Sequence, residues 1–107
     1  MQPQFDWDDV FSEFLNSLPQ KSSAKLLAVI SNIESHGLQI AKKQQWIKKI
    51  DENLYEVRTE HNGLFLRGLY FQIKNNDYFI THGFKKKKNE TPIKEIDRAK
   101  LIRKAKE

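Results

Sequence analysis

The dipeptide Asn62-Gly63 constrains the fold more than any other feature of this sequence. Asn-Gly favours a two-residue turn with positive φ at both positions, which joins antiparallel strands with the twist that a sheet requires. The turn lies between two runs rich in aromatic and β-branched residues, 54–60 and 64–74. A third such run, 78–84, follows the polar cluster at 75–77. These residues are therefore predicted to form an antiparallel meander.

Helices are predicted on both sides of the meander. Apolar residues recur at helical spacing over residues 8–18, before Pro19, and over residues 23–36, before Gly37. Thr91 is predicted to cap a last helix whose first residue is Pro92. Residues 38–50 have no clear period and are predicted to be irregular or a short strand. The 107 residues are thus predicted to be a single α+β domain with two N-terminal helices, an antiparallel sheet of three to four strands and a C-terminal helix.

Positive charge is concentrated at the C-terminal end. The chain has a net charge of +5, and residues 85–107 carry eight Lys and two Arg against four acids, so that this end is +6 and the rest is −1. Such asymmetry predicts a polyanionic partner, with nucleic acid the first candidate. The alternative is a solvated basic tail.

Several classes of protein are excluded or disfavoured by composition. The absence of cysteine excludes disulfides, Cys-ligated zinc and a thiol nucleophile. The three histidines have no ligand-like spacing with carboxylates, so no metal and no cofactor are predicted. Apolar runs are too short to span a membrane and the first residues are acidic rather than basic, which together predict a cytoplasmic protein without a membrane partner.

The Asn62-Gly63 turn also predicts a pair of facing arginines. Counting back from the turn places Arg58 directly opposite Arg67, where like charges repel unless something neutralises them. Glu56 and Glu60 lie on the same face and would form a salt-bridge ladder with the arginines. The alternative is a preformed anion clamp, since arginine is well suited to binding phosphate. Under that alternative, loss of Arg67 would relieve repulsion and leave the fold stable.

A second two-residue turn at 75–77 would bring the third strand into the same group. The face of the arginines would then include Tyr78, Ile80, His82, Phe84 and Lys86. A longer loop or a bulge would turn the third strand over and break this grouping. A histidine among apolar strand residues such as His82 is open to a structural interpretation as well as a catalytic one.

The rest of this face divides into an apolar end and a basic rim. A helix is expected to cover the apolar end, which comprises Leu69, Phe71, Ile73 and Ile80, and to leave the charged end open. The basic run after the third strand is predicted to form a phosphate-binding rim beside the arginines, made by Lys85, Lys87 and Lys88 around Lys86.

Several short motifs in order resemble one family. Residues 54–58, LYEVR, are similar to the LYELR signature of the RelE/HigB toxins, and more specifically to their phage-protein-like branch. Residues 67–71 (RGLYF), 82–87 (HGFKKK) and 91–99 (TPIKEIDRA) follow, and the last two resemble the family ending HGFxKK…TPxxEIxxA. The resemblance is strongest from residue 46 to residue 99.

The resemblance implies a toxin of a bacterial toxin–antitoxin pair. Such toxins are endoribonucleases that cleave mRNA, usually on the translating ribosome, and are inhibited by a cognate antitoxin that often has a helix-turn-helix domain. It further implies basic contacts at Arg58, Arg67 and residues 85–87, and a short N-terminal strand within residues 2–7. The resemblance is compatible with a homodimer and with a toxin–antitoxin heterotetramer. Two alternative functions are a ParE-like gyrase poison and a non-catalytic basic nucleic-acid-binding module.

Metal-free RNA cleavage defines the roles that candidate residues must fill. The ribose 2′-OH attacks the adjacent phosphate, and fixed cations stabilise the pentacovalent transition state. The chain lacks the Tyr or Asp/His pair that relatives place near the last helix, so the base is sought among Glu56, His82 and a lysine of lowered pKa, with one of the lysines at 85–87 as proton donor. The candidate catalytic residues are therefore Arg58, Arg67, Glu56, His82 and Lys86.

Overall fold

The computed structural model describes residues 2–87 and 90–107 and confirms the α+β prediction. Within these residues no helix is both long enough and apolar enough to cross a membrane. The elements, in chain order, are β1 (Gln4–Trp7), α1 (Asp9–Ser17), α2 (Gln20–His36), α3 (Leu38–Lys43), β2 (Ile47–Asp51), β3 (Leu54–His61), β4 (Leu64–Lys74), β5 (Asp77–Lys86) and α4 (Ile93–Lys106).

The strands form one mixed sheet in the order β1-β5-β4-β3-β2. The three meander strands are antiparallel as predicted, and two short strands extend the sheet at its edges. At one edge β1 runs parallel to β5, and at the other β2 runs antiparallel to β3. The segment without a clear period thus contains both α3 and β2, which are joined at Gln45, a residue with a φ of 60°. Elements this short are positioned by their neighbours rather than by their own pattern.

The first hairpin has the predicted register. Asn62 and Gly63 have φ values of 54° and 77°, as the expected turn requires. His61 pairs with Leu64, and Arg58 pairs with Arg67. The facing arginines are therefore a confirmed feature of the sheet.

The second hairpin has the predicted turn length, but a bulge changes which residues share a face. Lys74 pairs with Asp77, which leaves a two-residue turn. Further along, His82 pairs with Leu69 while Ile80 pairs with Tyr70, so Thr81 is an extra residue in β5. One extra residue reverses the alternation of side chains. The prediction is therefore wrong for Tyr78 and Ile80, which lie on the opposite face from His82, Phe84 and Lys86.

Each face of the sheet has its own apolar core. On the first face, buried residues of α1, α2 and α3 pack on the sheet residues Val57, Leu66, Tyr70, Tyr78 and Ile80. On the second face, Ala99 and Ile96 of α4 pack on Leu54, Leu69 and Phe84. Of the predicted apolar end, Leu69 is covered by the last helix, whereas Ile73 is exposed and Ile80 faces the other core.

Gly83 provides the space in which α1 packs against β5. A Cβ atom built at Gly83 would lie 2.2 Å from Cδ2 of Phe14, which is too close for any real contact. We expect Gly83→Ala to lower the free energy of unfolding by about 1–3 kcal/mol in urea denaturation, because the phenyl ring must move. Phe14→Ala removes the ring, so adding Gly83→Ala to that variant should cost much less. Equal costs in both backgrounds would contradict this packing argument.

Candidate active site

Glu56 lies at the centre of a group of charged side chains on the face that α4 partly covers. Glu56 and Arg58 are two residues apart on β3 and so share a face, and β4 places Arg67 opposite Arg58. Oε1 of Glu56 is 3.2 Å from Nε of Arg67 and 3.5 Å from Nε of Arg58. Because Glu56 is only 1% exposed, it is a buried carboxylate held between two guanidinium groups. Of the predicted salt-bridge ladder, the structure shows the ion pairs made by Glu56.

Arg67 is enclosed by protein. It is 3% exposed, and Nη1 donates hydrogen bonds to the carbonyl oxygens of Thr59 and Leu66, at 2.9 and 3.0 Å. Burial lowers the pKa of its guanidinium and Glu56 opposes this, so the group stays charged as arginines do. Glu56 lies between the two arginines, which favours the salt-bridge alternative, under which loss of Arg67 costs stability. That loss of Arg67 would leave the fold stable stays a prediction of the anion-clamp alternative.

Arg58 is the more accessible of the two arginines. Its side chain is 19% exposed and lines a shallow depression of about 290 Å³, together with Arg67, Gln45, Thr59, Glu60 and Phe65. The backbone N–H of Arg58 donates to the carbonyl oxygen of Trp46 at 2.8 Å, which places residues 45–46 beside it. An anion in the depression would meet Arg58 first, with Arg67 behind it.

Thr91 connects this group to Lys86. The Thr91 hydroxyl donates a hydrogen bond to Oε2 of Glu56, and Nζ of Lys86 donates to Oγ1 of Thr91 at 3.4 Å. The prediction that Thr91 caps the last helix is wrong, since Pro92 is the N-cap residue and the helix begins at Ile93. The contact with Glu56 joins residues 35 positions apart, and no local sequence pattern could indicate it.

Lys86 combines partial burial with several positive neighbours. It is 9% exposed and lies opposite Phe65 on the arginine face of the sheet. Burial lowers the pKa of its ammonium group, Glu56 opposes this, and the positive charges of Arg67, Arg58 and Lys48 lower it further. A lysine whose pKa is lowered gives up its proton more readily than an exposed lysine does.

The lysines predicted as a phosphate-binding rim do not all lie together. Lys85 pairs with Leu66 and so lies on the opposite face of the sheet from Lys86. Lys87 lines a depression of about 450 Å³ beside Lys86 and Thr91. Lys88 lies outside the residues that the structure describes. The structure therefore places Lys87, but not Lys85, next to the group around Glu56.

His82 shares the arginine face but is buried beneath α4. It is 1% exposed; Nε2 lies 3.1 Å from Oε1 of Glu95, and Nδ1 lies 3.0 Å from Oγ1 of Thr81. Burial lowers the pKa of the imidazole, while the hydrogen bond with Glu95 opposes this. Such surroundings favour the structural interpretation of His82, as a residue that joins α4 to the sheet.

Metal ligation has no obvious site in the part of the chain that the structure describes. Over residues 2–87 and 90–107, no three His, Asp or Glu side chains come together closely enough to hold an ion. Metal independence stays a prediction.

Lys48 is a further cation beside Glu56. Lys48 and Arg58 lie on the same face as Glu56, and Lys48 pairs directly with it across β2 and β3. Sequence reasoning missed Lys48 because the segment before β3 had no period.

Comparison with known families gives a match over most of the chain. Residues 13–104 match the model of the family described as Phage derived protein Gp49-like (DUF891). The chain belongs to this family. The match extends from α1 to α4, so it includes α2, over which the resemblance to RelE/HigB toxins is weak. A search of curated proteins found no match.

The Gp49-like family gives the chain a biological context. It is phage-derived, is associated with the toxins of toxin–antitoxin systems, and is related to RelE and HigB toxins. Membership does not assign the chain specifically to RelE or HigB. The association indicates an antitoxin partner. The prediction of a toxin–antitoxin context is confirmed by this association.

Proposed function

We propose that this Gp49-like chain is a toxin that cleaves mRNA, with the ribosome presenting the RNA, by attack of a ribose 2′-OH on the adjacent phosphate. The observation that carries the proposal is the gathering of Lys48, Arg58, Arg67 and Lys86 on one face around a single buried carboxylate, Glu56. Four cations against one buried anion favour a site for an additional negative group.

Arg58 is the residue proposed to contact the phosphate. It lines the open depression, and a guanidinium there stabilises the pentacovalent transition state more than the less negative ground state. Arg67 and Glu56 are positioning residues. Glu56 accepts the hydrogen bond of Thr91 and pairs with both arginines, so it holds the Arg58 guanidinium in one place before RNA arrives.

Proton transfer is assigned to Glu60, which lines the depression, and to Lys86, which lies opposite Phe65 of its lining. Glu60 lines it beside Arg58, whereas Glu56 is enclosed, so Glu60 is the carboxylate that can accept the proton of the 2′-OH. As the oxygen–phosphorus bond forms, the bond to the 5′-oxygen breaks, and Lys86 donates a proton to that leaving oxygen. The products are a 2′,3′-cyclic phosphate and a 5′-hydroxyl. His82 has no part in this scheme.

The reaction is tested with purified protein and ribosomes translating an end-labelled mRNA. We expect fragments that end in a 2′,3′-cyclic phosphate and a 5′-hydroxyl, and growth arrest when the chain is expressed without its antitoxin. Arg58→Gln should slow single-turnover cleavage about 10²-fold, because one transition-state contact is lost. Its melting temperature should stay near that of the wild type, since Arg67 keeps its pairing with Glu56.

Two results would replace the proposal with another function. Intact mRNA together with tight RNA binding would identify a non-catalytic nucleic-acid-binding module. Intact mRNA together with a DNA-damage response in the arrested cells would identify a gyrase poison.

A further inference from the structure

A second depression adjoins the candidate active site and has no role in the scheme above. It encloses about 520 Å³ and shares Gln45 and Arg58 with the first depression. We refer to it as the β2 cleft, because Ile47, Lys48 and Lys49 of β2 form much of its wall. Ile47, Lys49 and Tyr55 lie on the face of the sheet opposite Arg58, so a chain that passes from one depression into the other crosses the edge at β2.

The rim of the β2 cleft is strongly positive. Lys42, Lys48, Lys49 and Arg58 line it, and the described residues that line it include no aspartate or glutamate. Lys48 and Lys49 are successive residues of an edge strand, so they flank β2 on both of its faces. Three exposed lysines without a carboxylate among them attract a chain of phosphates rather than a single charge.

The floor of the β2 cleft is apolar and contains an aromatic ring. Tyr55 and Ile47 lie there, and the Tyr55 ring stacks on Tyr70 with a centroid distance of 5.3 Å and an interplanar angle of 26°. Tyr70 is buried, so this stack holds the half-buried Tyr55 in place. Aromatic rings surrounded by cations are the usual means of binding single-stranded nucleic acid without reading its sequence.

We infer that the β2 cleft binds a nucleotide of single-stranded RNA next to the one whose phosphate lies at Arg58. The base lies against Tyr55 and the backbone phosphates lie near Lys48 and Lys49. This inference rests on the proposed function for the position of the RNA, but it concerns binding and not cleavage. An acidic protein segment would use the same lysines, yet a flat ring with a basic rim fits a planar base between charged phosphates better.

The test measures the affinity of the full chain for a fluorescent, non-cleavable 2′-O-methyl RNA of twelve nucleotides, as a function of salt concentration. Lys48→Gln/Lys49→Gln should weaken binding and reduce the slope of log K against log salt by about 1.4, since each single-strand phosphate contact contributes about 0.7. Tyr55→Leu should weaken binding about ten-fold with an unchanged slope, and Tyr55→Phe should bind like the wild type, because stacking needs only the ring.

The matched control is Lys21→Gln/Lys74→Gln, which removes two exposed lysines that do not line the cleft and should change the slope little. If the β2-cleft variants bind RNA like this control while the wild type cleaves mRNA, the inference is overturned and the proposed function stands. If RNA binding depends on the cleft but the chain does not cleave mRNA, the inference stands and the proposed function is overturned. Loss of antitoxin binding alone, with RNA binding unchanged, assigns the cleft to a protein and also overturns the inference.

Discussion

Replacing Glu56 by glutamine is expected to lower the free energy of unfolding by about 3–5 kcal/mol, because it removes the charge that neutralises a buried arginine. Arg67 is 3% exposed and its Nε lies 3.2 Å from the Glu56 carboxylate, so it cannot turn to water when the charge is lost. Arg58 and Lys86 lie nearby and repel it further. Urea denaturation followed by circular dichroism measures the loss.

Glu60→Gln is the matched control for this variant. Glu60 is an exposed residue on the same strand and the same face as Glu56. Surface ion pairs contribute only about 0–1 kcal/mol, so its loss should cost little stability. A double-mutant cycle with Arg67→Gln should show that the two losses are far from additive, since each variant breaks the same pair. If Glu56→Gln were as stable as Glu60→Gln, the pairing would have no structural importance.

Sulfate provides a second comparison in the same experiment. With Glu56 neutral, the cations around it lack their central anion, so sulfate should stabilise Glu56→Gln more than it stabilises the wild type. A phosphate group that binds at Arg58 should likewise stabilise Glu56→Gln more than it stabilises the wild type. A stabilisation by sulfate that is equal in both proteins would indicate that the anion binds elsewhere.

The parts of the fold that could be predicted depend on local signals. Asn62-Gly63 fixes the turn, and an antiparallel pair then has a single register, which is why the contact between Arg58 and Arg67 could be predicted without a structure. The same alternation placed Glu56 on their face. Helices α1 and α2 have enough turns for an apolar stripe to be visible in the sequence.

The parts that could not be predicted depend on tertiary contacts. The bulge at Thr81 has no sequence signature, and it moved Tyr78 and Ile80 to the other face. Thr91 has the features of a helix cap, yet its hydroxyl bonds to Glu56 because β3 brings that carboxylate within reach. The burial of a side chain also depends on tertiary contacts. It distinguishes Arg67, which is enclosed and supports the site, from Arg58, which is partly exposed to solvent.

Replacing Lys86 by methionine is expected to slow single-turnover cleavage about 10²–10⁴-fold, the usual contribution of a general acid. Methionine keeps the length of the side chain and removes the transferable proton. Stability should hold or rise, because burial and the charges of Arg67, Arg58 and Lys48 lower the pKa of Lys86, which means that the folded protein disfavours its charged form. Lys94→Met, at an exposed position of α4, is the control and should cleave like the wild type.

The pH dependence of cleavage separates a proton donor from a fixed charge. An acid must be protonated to act, so on the alkaline side of the profile wild-type cleavage should fall as pH rises through the pKa of Lys86, which lies below the ordinary value of 10.5. Lys86→Arg keeps the positive charge but holds its proton at every accessible pH, so it should be slow and show no such fall. If Lys86→Arg instead cleaved at the wild-type rate, Lys86 would act only through its charge, and the proton of the leaving oxygen would have to come from another donor such as water.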